Sequence, residues 1–160
     1  MQYTLNSTGG TLIAGGNGAG MGRTQLNNPR GLYFESSTNS LLIANFGANN
    51  IVRWVIGDSN WTLVAGDITG VGGSGPTRFA SPSDVLSDSM GNIYVADRFN
   101  YRVQFCLAGR INCTTIGGIS TQFGNTSTTL NQISAIALDS QLNLYVSDTV
   151  NNRIQQFIRY

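Results

Sequence analysis

The side chains whose types and spacing could do chemistry are Asp97, Asn100 and Arg102, and then Asp148, Asn151 and Arg153 at identical internal spacing. An acid, an amide and a guanidinium arranged this way could form a ligand or metal ring. They could also serve a turn, the carboxylate accepting N–H groups, the amide taking a left-handed position and the guanidinium bracing a neighbouring segment. Because the set recurs at one repeat position, we read it as structural. The chain has no histidine, which excludes Ser-His-Asp, Cys-His and histidine–metal catalysis. Its eight acids are scattered, largely at strand ends, without the close spacing of a calcium loop. Gly15–Gly22 is glycine-rich, but no Lys-Ser/Thr follows it and no helix is predicted, so it is not read as a phosphate-binding loop. No catalytic residue, metal or cofactor is expected.

Cys106 and Cys113 flank a short turn, and their counterparts in the first unit are read as Val55 and Trp61, an apolar cross-strand pair. A disulfide at such facing positions has plausible geometry, whereas zinc would need more ligands than two cysteines. Asn6, Asn60, Asn112 and Asn125 each begin an Asn-X-Ser/Thr triplet, the acceptor pattern for glycosylation. Together these features point to an extracellular or secreted parent, although Met1–Thr8 lacks the charged and apolar regions of a signal peptide. A net charge of +1, with arginine as the only basic residue type, creates no broad attraction for nucleic acid or anionic lipid. No apolar run is long enough to span a membrane.

The elements that must position these side chains repeat. Asn49, Asn100 and Asn151 are 51 apart (100 − 49, 151 − 100), as are Gly15, Gly66 and Gly117 (66 − 15, 117 − 66). Each complete unit reads as four short strands with glycine and Asn/Asp turns; in the second these are about 84–87, 93–96, 102–107 and 114–116. An apolar anchor (Leu26, Phe79, Leu130) and then Pro29, Pro82 or Ile133 precede the first strand, which ends at an acid, Glu35, Asp88 or Asp139. Four-stranded units repeating radially make a β-propeller. The fold class is therefore all-β, with blades at about 26–66, 79–118 and 130–160. An orphan outer strand is expected at 11–14.

The phrases Gly91-Asn-Ile-Tyr-Val-Ala-Asp97…Asn100-Tyr-Arg102-Val-Gln-Phe and Asn143-Leu-Tyr-Val-Ser-Asp148…Asn151-Asn-Arg153-Ile-Gln resemble NHL repeats. The first unit departs from the pattern: Asn45 replaces the Asp, Ile51 is aligned with the Arg, and the turn reads as one residue longer. The resemblance implies six-bladed propellers, so three blades with an orphan strand imply a homodimer closed by N-terminal strand exchange. A piece cut from a longer propeller is the other reading.

Meander geometry places the B–C turns and D–A loops on one face. That face would carry Arg23, Arg30, Arg78 and Arg98, with Phe46, Phe99 and Tyr101 nearby, while Asn60 and Asn112 fall on the opposite face. The expected function is a non-enzymatic scaffold binding an unknown protein or small ligand there. The alternatives are a single-stranded-RNA-binding propeller, against which the small net charge argues, and a metal-dependent lyase or hydrolase, which lacks its histidines.

Overall fold

A computed structural model of the chain describes residues 9–159. Short β-rich runs separated by tight turns pair with their sequence neighbours, so each sheet is a simple antiparallel meander. Strands β1 (Pro29–Glu35), β2 (Ser40–Asn45), β3 (Asn50–Val55) and β4 (Thr62–Gly66) form the first sheet. Strands β5 (Pro82–Ser87), β6 (Ile93–Asp97), β7 (Arg102–Cys106) and β8 (Cys113–Gly118) form the second. The third has three strands, β9 (Ile136–Leu138), β10 (Leu144–Asp148) and β11 (Arg153–Phe157), with β11 at its edge. Residues 11–14 form no strand in the single chain, and Leu12 is exposed. Asn6 lies outside the described residues.

The register corrects the reading of the first unit. Asn45 pairs with Asn50, as Asp97 pairs with Arg102 and Asp148 with Arg153. Asn50, not Ile51, therefore holds the arginine position. The middle turns are equal in length, because each is one 3-10 turn followed by a left-handed residue: Asn49, Tyr101 or Asn152. Repeated asparagines shifted the alignment by one; the offset between the first two sheets is 52 (97 − 45). By the same register Gly66 corresponds to Gly118, both at positive φ. Trp54, rather than Val55, stands where Cys106 stands, and Trp61 stands where Cys113 does.

Each interface between sheets is a hydrophobic core. Leu42, Ala44 and Ile51 pack on Phe79, Val85 and Val95. Ala96 and Val103 pack on Leu130, Leu144 and Val146. The second sheet is covered on both faces, and so β6 is buried at every residue instead of alternating. A third cluster, Ile43, Val52, Trp54 and Trp61, lies on the far face of the first sheet under Ala14 and Leu26. The innermost strands β1, β5 and β9 are brought side by side. Cys106 and Cys113 form a disulfide across facing positions of β7 and β8, their Cα atoms 4.2 Å apart.

Candidate functional site

Asp97 sits at the end of β6 and is fully buried. Its Oδ1 accepts the Ala80 N–H (2.7 Å), and its Oδ2 accepts Asn100 Nδ2 (2.8 Å) and Arg102 Nε (2.8 Å). Arg102 uses its remaining donors on the carbonyls of Ser74, Gly75 and Arg78 and on Ser120 Oγ. Burial pushes the Asp97 carboxyl up, against the hydrogen bonds and the arginine that hold it down. The third sheet repeats the device. Asp148 accepts from the Asn131 N–H, Asn151 and Arg153, and Arg153 grips the carbonyls of Asn125, Thr126 and Thr129. The left-handed positions belong to Tyr101 and Asn152, one residue beyond the asparagines. Asn100 and Asn151 instead donate to the loop carbonyls of Gly73 and Gly124. Carboxylate, amide and guanidinium are thus spent clamping the loop that leads into their own sheet.

In the first sheet a neutral pair replaces the ion pair. Asn45 accepts the Asn27 N–H (2.7 Å) and donates to Asn50 (3.2 Å). The loop is anchored by Trp61, whose indole N–H reaches the carbonyls of Gly22 (3.1 Å) and Gln25 (2.8 Å). A second repeated device closes the hairpin turns on the opposite face. Asp88 accepts the N–H groups of Met90 and Asn92, the Asn92 amide and Tyr94 Oη. Asp139 does the same with Gln141, Asn143 and Tyr145.

Once these framework groups are set aside, the residues that differ between sheets stand out. Arg30, Ser83 and Ser134 occupy one position, and Phe46, Arg98 and Thr149 another. On this face Arg30 stacks over Phe46, its guanidinium carbon 3.5 Å from the ring centroid. Phe46 meets Phe99 edge to face at 6.1 Å. Arg98 lies 5.7 Å from the Phe99 centroid and donates to Gln132 Oε1 (3.2 Å). Burial, and then the charge of Arg30, lower the Arg98 pKa. In the third sheet Thr149 Oγ1 donates to Ser134 Oγ (2.7 Å), which approaches Ser147 Oγ (3.3 Å). Guanidinium, aromatic and hydroxyl groups therefore run in a row across three sheets.

Asp84, on β5, lies deeper at the junction of the inner strands. Its carboxylate accepts the N–H groups of Val85 (2.9 Å) and Ile136 (3.0 Å), and burial raises its pKa despite both bonds. It packs where Gly31 leaves room, since a Cβ there would collide with Asp84 Oδ1.

The other residues grouped with this face go elsewhere. Arg78 pairs with Asp67 at 3.7 Å. Tyr101 stacks edge to face on Phe123 at 5.6 Å. Arg23 contributes its backbone carbonyl to the Trp61 N–H (2.9 Å). Asn60, Asn112 and Asn125 are exposed. Sequence reasoning missed Gln132 and the Ser134–Thr149 pair; the signal for them was divergence at equivalent positions, visible only with the correct register.

The family model for the NHL repeat matches residues 130–157, the stretch that carries Asp148, Asn151 and Arg153. The chain carries an NHL repeat there. NHL repeat-containing protein 3 of Mus musculus is 32% identical over 91 residues, which are 56% of this chain and 25% of that protein. The chain thus spans a quarter of that relative's length. Among solved structures, an auxiliary nutrient binding protein from Bacteroides ovatus superposes with TM-score 0.61 at 18% identity, covering 78% of this chain and 36% of the other. A protein of unknown function from Bacteroides thetaiotaomicron gives 0.63 at 16%, covering 80% and 34%. A virginiamycin B lyase from Staphylococcus aureus gives 0.56 at 14%, covering 81% and 38%. At these identities the likeness establishes the β-propeller fold alone.

Proposed function

We propose that this NHL chain is a non-enzymatic propeller scaffold that binds a ligand or protein on the face bearing Arg30, Phe46, Phe99 and Arg98. The observation that carries this reading is the stacked row itself: two guanidiniums and two aromatic rings held in contact, at positions where the repeat diverges. Exposed aromatic and arginine side chains fixed by packing make strong anchors, because little freedom is left to lose on binding. The nutrient binding protein from Bacteroides ovatus shows that the fold is used for binding elsewhere. The disulfide fits an extracellular-facing parent.

The open ends support assembly. Leu32 on β1 is 63% exposed, whereas Val85, at the same position of the second sheet and packed against the first, is 2% exposed. Ile154 on β11 is 68% exposed, whereas its counterparts Ile51 and Val103 are fully buried. Covering such a side chain stabilises by about 1.5–3 kcal/mol, and the β11 edge has unpaired backbone groups. Residues 11–14 share the Thr-Leu-aliphatic-Ala pattern of Thr62–Ala65. In the proposed homodimer they add a fourth strand to β11 of a second copy, closing a six-bladed ring.

Two measurements test the reading. A thermal-shift screen against sugars, nucleotides, carboxylic acids and peptides should find a ligand whose shift disappears in Phe99→Ala. If every hit is retained in that variant, the face assignment fails, and retention on single-stranded RNA would favour the nucleic-acid reading. Light scattering should return twice 17.1 kDa, and a monomer would overturn the strand exchange.

A further inference from the structure

We propose that Arg30 and Arg98 form an oxyanion site for a small ligand whose carboxylate or phosphate is attached to a flat apolar group. The proposal rests on the face assignment above and names the chemistry that the face recognises. Among the described residues, the ion pairs engage Arg53, Arg78, Arg102 and Arg153, each with its own carboxylate. Arg30 and Arg98 stand outside them, close enough that the charge of one acts on the other. Two guanidiniums this close repel one another, and an oxyanion bound between them relieves that repulsion.

The geometry fits that role. Stacking on Phe46 immobilises the Arg30 guanidinium by its face and leaves its N–H edge to donate, the fork that matches carboxylate and phosphate oxygens in pairs. Arg98 spends one bond on Gln132, which holds the side chain across the boundary between the second and third sheets. Phe99 is 44% exposed beside Phe46, offering an apolar surface next to the charges. The Ser134 and Thr149 hydroxyls occupy the equivalent positions of the third sheet, where Thr149 donates to Ser134 and Ser134 to Ser147. At the second-sheet position matching Arg30, Ser83 is buried and donates to the Ile133 carbonyl (2.9 Å), so the guanidinium is particular to the first sheet.

The test is calorimetric titration of the 160-residue protein with benzoate, inorganic phosphate and the neutral isostere benzamide. Benzoate should bind with benzamide at least about tenfold weaker, a difference of about 1.4 kcal/mol. Arg30→Gln and Arg98→Gln should each weaken benzoate by a similar factor, while Arg110→Gln, in the turn between β7 and β8, leaves it unchanged. Phosphate binding as tightly as benzoate would identify the charge alone as the determinant and overturn the flat-group part. Equal binding of benzamide, or unchanged affinity in both arginine variants, overturns the proposal. A neutral ligand lost in Phe99→Ala but insensitive to Arg30→Gln sinks the oxyanion inference and leaves the face assignment standing. Unfolding midpoints of each variant, measured alongside, separate lost binding from lost folding.

Discussion

Replacing Arg102 with methionine removes the cation from a carboxylate that has no access to water. Arg102 and Asp97 side chains are 4% and 0% exposed, and the arginine also satisfies three loop carbonyls. Breaking a buried pair on one side costs about 3–5 kcal/mol, because the remaining charge is uncompensated. With a urea dependence of about 2 kcal/mol per molar, the unfolding midpoint should fall by about 2 M. Arg153→Met cuts the same bond pattern, but Arg153 is 30% exposed, so water can replace part of what is lost. Its cost should be smaller, about 1–3 kcal/mol. The first sheet supplies the control, since Asn45 and Asn50 fill these positions with a neutral pair. The double variant Asp97→Asn/Arg102→Asn should therefore be more stable than Arg102→Met alone. Urea unfolding followed by far-ultraviolet circular dichroism, at one fixed protein concentration, measures all three. If Arg102→Met lies within about 1 kcal/mol of wild type, or if the double variant is no better than the single, the clamp does not hold the loop electrostatically.

Other outcomes follow from the same contacts. Asp139 is held below the ordinary carboxyl value first by the Asn143 amide and then by the backbone N–H groups of Asn143 and Gln141. A depressed folded pKa contributes stability above the unfolded value and loses it as pH falls through the folded one. The urea-midpoint gap between wild type and Asp139→Ala should accordingly be present at neutral pH and shrink as the pH falls through and below the ordinary carboxyl range; a constant gap would show that the carboxylate charge is irrelevant. Replacing both Cys106 and Cys113 with alanine opens a bridge between residues seven apart. The change should cost about 2–3 kcal/mol, read as a lower unfolding midpoint that reducing agent does not lower further.

Much of the fold was legible because it is written in local patterns. Turn glycines, the strand phrases around Tyr94 and Tyr145, and the Asp-X-X-Asn-X-Arg spacing all depend on neighbouring residues, so they survive in a bare sequence. The register of the first unit was not legible. Three asparagines near its turn allow two alignments, and only hydrogen-bonded pairing places Asn50, rather than Ile51, opposite Asn45. That single residue had also displaced the partner of Trp61.

The recurring Asp, Asn and Arg advertise themselves in the sequence, yet packing turns them inward to clamp loops. Sequence alone determined that the chain is a repeating meander, that it has no histidine for catalysis, and that two cysteines could face each other. Tertiary structure decided which arginines are spent and which are left. Arg78 finds the Asp67 carboxylate and Arg102 that of Asp97, while Arg30 and Arg98 find aromatic rings. Contacts between neighbouring sheets, such as Phe46 with Phe99 and Arg98 with Gln132, depend on distances that no local pattern encodes, so the candidate site emerged only when diverged positions of adjacent sheets met on one face.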